Sequence, residues 1–319
     1  MNELLYETDE YEVLSAVLEQ DNDGARLDVA IAMCFDAISR NRAQLLIEKG
    51  DVSVNEEVIT SKKHQIKQGD KVEVRLLVRV PLKVEPENID LSIVYEDDDI
   101  IVIDKEKGMV VHPAPGNETG TLVNALLYHM KNAGESLPVI NGELRPGIVH
   151  RIDKNTSGLL VVAKNNHAHA FLSEQLAAHS MKRVYYALVS GGFKDVEGTI
   201  DADLARDPVN RKKQKVVPNG FGRTAITHYK VIEKLGQYSL LELKLETGRT
   251  HQIRAHLNYI KHPVLGDDLY GSAAGSGQFL HAGVLGLIHP TTKEYVEFTS
   301  KPHAEFSDML EMLRRKAEK

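Results

Sequence analysis

Residues 147–165, GIVHRIDKNTSGLLVVAKN, set two apolar runs around a polar turn. Gly147–Ile152 and Leu159–Lys164 both read as strands that want burial, and Asp153–Gly158 separates them. The turn then presents Arg151 and Asp153 together at a strand end. Taken alone, Asp153 also fits a turn former ahead of the capping residues Thr156 and Ser157.

The rest of the chain is read around that strand pair. LSIVYEDDDIIVIDK predicts two strand pieces about an acidic turn, NNHAHAFLSEQLAAH a helix, and RVYYALVSG a strand. In SLLELKLETG, Leu241, Leu243 and Leu245 alternate with Glu242, Lys244 and Glu246, which predicts a strand with one buried face. It runs into TGRTHQIRAHLNYI, a turn followed by a helix. Strands outnumber helices and do not alternate regularly with them. The expected class is therefore α+β, a mixed and largely antiparallel sheet with flanking helices.

At 319 residues, two domains are expected. A small α/β unit is predicted over residues 24–80. Leu27, Ala30, Ile31, Cys34, Phe35 and Ile38 recur at helical spacing. Ser39 can cap a second helix with Ala43, Leu46 and Ile47 inward, and Gly50 can end it. DVSVNEEVI and DKVEVRL alternate as short strands. PLKVEPENID, residues 81–90, carries two prolines and reads as a linker, leaving residues 91–319 for the larger domain.

Charge is unevenly spread. The formal net is −7, but residues 1–23 hold eight acids and no Lys or Arg, and read as an acidic extension. Outside them 39 basic residues face 38 acidic ones. Residues 206–230 contain Arg206, Arg211, Lys212, Lys213, Lys215, Arg223 and Lys230 against Asp207 alone. Such a segment is either a solvated loop or an attractor of phosphates. No 18-residue apolar run is present, and MNELLYETDEYEV lacks the basic and apolar regions of a secretory signal. A single cysteine, Cys34, excludes an internal disulfide and is expected in the core. The expected location is the cytoplasm.

Several tempting motifs fail. There is no G-x-x-x-x-G-K-[ST] phosphate loop. GSAAGSG, 271–277, lacks a strand–turn–helix context and reads as a mobile loop. His251 and His256 are five apart, off the spacing that puts two ligands on one helix face, so no metal site is expected from them. HRID differs from a kinase catalytic loop and has no D-F-G with it.

Four stretches in order, RPGIVHRIDKNTSGLLVVAKN, KRVYYALVSG, ETGRTHQIRAHLNYIKHPVLGDDLYG and FLHAGVLGLIHP, resemble the successive motifs of the RluA-type ribosomal RNA pseudouridine synthases, RluD-like members among them. The resemblance covers nearly all of residues 85–319, and the smaller unit resembles an S4-type RNA-binding domain. It implies the pseudouridine synthase fold and isomerisation of specific uridines in RNA without cofactor or metal. By the H-R-x-D motif Asp153 is the implied nucleophile, attacking C1′ or C6. Arg151 fills the space of the flipped base, which must leave its stack to be reached. Arg254 pairs with the carboxylate, Tyr185 stacks on the uracil and assists proton removal, and Leu280 corresponds to an apolar pocket wall. Tyr186 is the better candidate for plain core packing.

The implied partner is RNA, a large-subunit ribosomal stem-loop ahead of tRNA, with no membrane or nucleotide partner and the chain a monomer. Arg42 and Lys49, on one side of the S4-like helix, would touch phosphates. Arg211, Lys212, Lys213 and Lys215 lie where the family grips its stem-loop. Two other readings stand beside the isomerase. One is an RNA-binding assembly factor with a vestigial site. The other is a nucleoside hydrolase, which needs a second carboxylate to activate water.

Overall fold

Helix signals in the first unit are local and act as read. In the computed structural model, residues 5–81, 83–114, 116–140, 142, 144–271 and 277–318 are described, and the chain divides into Met1–Leu82 and Lys83–Lys319. The first unit comprises β1 (Leu5–Val17), α1 (Leu27–Cys34), α2 (Arg40–Lys49), β2 (Val52–Val54), β3 (Glu57–Val58) and β4 (Lys71–Pro81). Ser39 Oγ accepts the Arg42 amide at the start of α2, and Gly50 closes it in the left-handed region at φ 81°. Leu27, Ile31, Ala43 and Ile47 bury their side chains with Val52, Val72 and Val74. Phe35 and Ile38, read as helical, lie beyond α1, yet Ile38 still fills the core. Cys34 is half-buried against that core.

One boundary differs from the reading. Much of the acidic stretch 1–23 is a strand: β1 pairs antiparallel with β4, Val17 opposite Lys71 and Glu12 opposite Leu76. The sheet order is β1-β4-β2-β3, so β1 is an edge. Acidic residues on an exposed edge discourage pairing with other chains. The linker also differs. Glu87 N–H donates to Asn124 O at 3.0 Å, and Asn124 Nδ2 donates to Glu85 O at 2.8 Å, so this proline-bearing segment is docked on the second unit.

The second unit runs β5 (Ile93–Glu96), β6 (Ile100–Lys105), α3 (Leu122–Ala133), β7 (Ser157–Ala163), α4 (Asn166–Ala177), β8 (Lys182–Ser190), β9 (Glu197–Asp201), β10 (Leu204–Arg206), β11 (Gln214–Val216), β12 (Ile226–Leu235), β13 (Tyr238–Leu245), α5 (Gln252–Tyr259), β14 (Leu280–Ile288), β15 (Tyr295–Thr299) and α6 (Ala304–Ala317). Among the described residues nine strands form one sheet, ordered β5-β6-β7-β14-β8-β13-β12-β9 with β15 on β14. Among the described residues the one parallel pair is β7 with β14, and the class is α+β.

All seven residues of β7 are buried, as its unbroken apolar run requires. Leu160 and Val162 pack with α3 residues Leu122 and Leu126, while Leu159 and Val161 pack with α4 residues Ala168 and Leu172. Each buried leucine or valine here contributes about 2 kcal/mol. This two-sided packing fixes the strand that carries the Asp153 turn.

Gly147–Ile152 does not form the second strand. Ile148 forms an isolated bridge to Val162, and Gly147 O accepts the Ala163 amide at 2.9 Å. The β7 amide of Val161 donates instead to His150 Nε2 at 3.0 Å, so a side chain takes the place of a strand partner. Burial holds His150 down to about 3, the neutral state that this acceptance needs. Gly147, at φ 70°, lets the chain press on Ala163, where a Cβ would stand 2.6 Å from its carbonyl oxygen. Residues 272–276 of the glycine-rich loop lie outside the described residues.

Candidate active site

The turn before β7 is fastened from beneath. Thr156 N–H donates to Asp153 O at 3.1 Å, and Gln278 Nε2 donates to Thr156 Oγ1 at 2.6 Å. The buried Lys105 amine donates to Lys154 O at 3.1 Å, and Gly108 N–H reaches the same oxygen at 2.8 Å. Burial brings Lys105 down to about 7, against the opposing pull of Asp153. Gly158 is required where β14 pairs alongside, since a Cβ there would run into the Ala282 carbonyl oxygen. With its backbone held this way, Asp153 leaves its carboxylate 16% exposed in a cavity of about 470 Å³.

The facing wall comes from the turn into α5. Gln252 is the staple: its Oε1 accepts from Thr247 Oγ1 at 2.7 Å and Arg249 N–H at 2.9 Å, and its Nε2 donates to Ile226 O at 2.9 Å. His251 takes a left-handed backbone, φ 54°, at the helix start. A non-glycine residue there stores strain that the surrounding bonds must hold. The turn aims Arg254 from the first turn of α5 into the cavity.

Arg254 bridges two carboxylates. Its Nη1 donates to Asp153 Oδ2 at 3.0 Å, while Nε and Nη2 make a bidentate pair with Asp267 at 2.7 and 2.9 Å. Asp267 is wholly buried and also accepts the Leu269 and Tyr270 amides at 2.9 and 3.0 Å. Burial pushes the Asp267 carboxyl up, but Arg254 and these amides outweigh it and hold it below the usual range. A bidentate guanidinium is fixed in angle as well as position, so the Nη1 donor is preset for Asp153.

Around this pair, Tyr185 of β8 and Leu280 of β14 line the cavity, 7% and 4% exposed. Tyr186 points to the other face, against Leu188 and Phe306. Arg151 is exposed at the rim, and its Nη1 donates to His112 Nε2 at 3.3 Å. Burial, aided by Arg151 and Arg145, brings His112 down to about 3, so the imidazole is the neutral acceptor that this bond requires. His251 Nε2 stands 4.0 Å from Asp153 Oδ2, beyond hydrogen-bond reach.

The basic segment belongs to a hairpin in which β10 pairs with β11: Arg211, Lys212 and Lys213 lie in the connecting loop and Lys215 on β11. Gln214 N–H donates to Tyr270 OH at 2.6 Å, and Lys213 Nζ lies 5.6 Å from the Tyr270 ring centroid. The same ring stands 5.2 Å from the Arg254 guanidinium, so Lys213 and the catalytic cleft share one anchor. Arg211 is exposed near the hairpin tip, and Lys212 and Lys215 flank Lys213 in the chain. Arg42 is half-buried and Lys49 exposed on α2 of the first unit.

Asp267, Tyr270 and Gln252 were not singled out by the sequence. HPVLGDDLYG signals a turn, and Asp267 does cap one, but its pairing with Arg254 thirteen residues away has no local signature. Among the described residues, the cluster with metal-ligand chemistry is Asp104, His281 and His303, whose donor atoms lie within 4.8 Å of one another. They are already hydrogen-bonded, His303 to Asp104 at 3.0 Å and His281 to Ser157 Oγ at 2.9 Å. His256 is buried away from the cleft, bonded to Thr227 Oγ1 and Ala202 O.

A family model described as RNA pseudouridylate synthase matches residues 99–259, and an S4 domain model matches residues 25–72. The uncharacterized RNA pseudouridine synthase YlyB of Bacillus subtilis (strain 168) is 44% identical over 299 residues, 93% of this chain and 96% of its own. Ribosomal large subunit pseudouridine synthase D of Zymomonas mobilis is 45% identical over 308 residues, again 93% of this chain and 96% of its own. Among solved structures, human RNA pseudouridylate synthase domain containing 1 superposes with a TM-score of 0.53 at 26% identity, covering 72% of this chain and 96% of that one.

Proposed function

The chain belongs to the RNA pseudouridylate synthase family, and we propose that it isomerises uridines of large-subunit ribosomal RNA with Asp153 as nucleophile. The observation that carries the residue assignment is the Asp153–Arg254–Asp267 chain of charges at the floor of the cleft. One carboxylate faces the cavity and the other is consumed in holding the guanidinium. A hydrolase would need a second free carboxylate beside the substrate; Asp267 is fully engaged, and the exposed Asp268, 3.7 Å from Arg254 Nη2, is not among the residues that line the cavity.

The chemistry balances within one molecule. The target uridine leaves its stack and enters the cleft, Arg151 at the rim standing where the base had been. Asp153 attacks the nucleoside, at C1′ or at C6, and the N1–C1′ bond breaks. The uracil turns while Tyr185 and Leu280 confine it, C5 joins C1′, and the bond between Asp153 and the nucleoside breaks, returning the free carboxylate. The C5 hydrogen leaves as a proton and N1 gains one, so nothing is oxidised or transferred to a second molecule. Tyr185 assists that proton transfer; burial pushes its hydroxyl above its ordinary range, which favours the protonated form as the resting state.

Large-subunit RNA as substrate is supported by relatives named for it at 39–45% identity and by the basic hairpin beside the cleft. Exposed Lys49 and half-exposed Arg42 on the S4 unit suit phosphate contacts that position without specifying. Shape and unpaired loops are what a protein can read on RNA, which suits a stem-loop target. Action in the cytoplasm belongs to the same proposal, supported by the single cysteine.

The test is to map pseudouridines in total RNA from cells lacking the protein and to restore wild type or Asp153→Asn. Loss of large-subunit sites, restored by wild type alone, is expected. Loss confined to tRNA would overturn the substrate, and restoration by the variant would overturn the nucleophile.

A further inference from the structure

Arg183 is a second buried guanidinium in the cleft, and it lacks what Arg254 has. It lines the same cavity as Asp153 and Tyr185 and is 6% exposed. Its Nη2 donates to Glu246 O at 2.8 Å. Among the described residues that carbonyl is its hydrogen-bond partner, no carboxylate pairs with it, and its buried Nε has no partner. A cation removed from water without a counter-charge is costly. The neighbouring charge, Arg249, has the same sign.

Its position is built. Arg183 and Tyr185 are two apart on β8, so their side chains share one face of the sheet, about 6.6 Å apart along the strand. That spacing is comparable to the distance from a pyrimidine ring to the phosphate of its own nucleotide. The guanidinium lies under exposed Gly248 of the TGR turn, where a Cβ would stand 2.6 Å from Arg183 Nη1. Any side chain at 248 would therefore displace the charged group. Four arginines, Arg151, Arg183, Arg249 and Arg254, meet one carboxylate, Asp153, along the described cavity wall. Of these, Arg254 has its charge matched within the protein.

We propose that Arg183 binds a phosphodiester flanking the flipped uridine, and that Gly248 keeps the space in which it does so. The proposal rests on the RNA-isomerase reading above. A phosphodiester supplies the missing negative charge and suits the donor fork of arginine. Arg183 is thus a positioning residue, holding the nucleotide's backbone while Tyr185 holds its base.

The test uses full-length protein and an RNA stem-loop carrying the mapped uridine, synthesised with normal linkages or with one neutral methylphosphonate 5′ or 3′ to it. Isomerisation by wild type tests the underlying reading. Binding is measured separately in the Asp153→Asn background, so the two can fail independently. Neutralising one of the two linkages should weaken wild-type binding about 10-fold, the size of one bidentate phosphate contact. Arg183→Gln should bind about 10-fold more weakly on normal RNA and be indifferent to that linkage. Its salt dependence should lose about 0.7 in slope, as one phosphate contact on a single strand does. KM should rise with kcat nearly constant, since the contact exists before and during reaction. Arg183→Lys should recover part of the affinity, and Gly248→Ala should reproduce part of the defect with the charge retained. If Arg183→Gln remains fully sensitive to both linkages, or binds as wild type does, the assignment is overturned.

Discussion

Asp28 in the first unit and Asp267 in the second are both wholly buried carboxylates that collect guanidinium groups. Asp28 accepts from Arg26, Arg40 and Gln44, and both arginines keep much of their surface in water, 39% and 53% exposed. Asp267 holds one arginine, Arg254, that is 5% exposed and has a further donor on Asp153. The first cluster ends in itself and ties α1 to α2. The second ends in a cavity, and its last member is a carboxylate with room beside it. A buried ion pair becomes a site when it has a member left over and a place for a substrate to meet it.

Breaking the second cluster should have the larger effect. Arg254→Ala would leave Asp267 buried without its partner, costing about 3–5 kcal/mol. In a thermal melt this should lower the transition of the catalytic unit by roughly 10 °C, with isomerisation abolished. Asp267→Asn keeps the Arg254–Asp153 bond but frees the guanidinium to swing. Its kcat should fall about 100-fold, as when one preset charge is lost from an active site, with RNA affinity within a few-fold of wild type.

Breaking the first cluster should separate stability from chemistry. Asp28→Asn should cost the S4 unit about 2 kcal/mol, the scale of charged hydrogen bonds, and leave the rate of isomerisation of bound RNA unchanged. Burial pushes the Asp28 carboxyl up, but its bonds from Gln44, Arg40 and Arg26 bring it down from 3.8 to about 2. A carboxylate lowered on folding contributes fully above its unfolded value and loses that contribution as pH falls through the folded one. The stability gap between wild type and variant should therefore close between pH 3.8 and about 2 in acid titrations followed by circular dichroism. The smallest effect is expected at the exposed Lys49. Lys49→Gln should weaken RNA binding a few-fold and reduce its salt dependence by less than one phosphate contact.

The two regions were not equally legible. Ser39, Gly50 and the alternation of Leu241, Leu243 and Leu245 act within a few residues, so their sequence patterns carry over directly. The strand β1 does not announce itself, because glutamates and aspartates disfavour strands. It exists through pairing with β4, its partners lying 54 to 76 residues away in the chain, and through contacts such as Arg75 over the Tyr11 ring at 4.5 Å. Gly147–Ile152 misleads for the opposite reason: Ile148 and Ile152 are buried, but it is the His150 side chain that meets the Val161 amide. At the site, Asp153, Tyr185, Arg254 and Leu280 came from the resemblance and converge on one cavity. Asp267 and Arg183 carry no local signature, since a buried charge is recognisable only once its surroundings are known.

The central claim is that Asp153 is the nucleophile held by that chain of charges. Joining C5 to C1′ expels the C5 hydrogen, so tritium release from RNA containing [5-³H]uridine follows the reaction itself. In a single-turnover assay on the mapped stem-loop, wild type should release one tritium per uridine converted. Asp153→Asn should release none above background, a loss of at least roughly 10⁴-fold, while binding the same RNA within a few-fold. Release by Asp153→Asn at a rate near that of wild type would contradict the assignment.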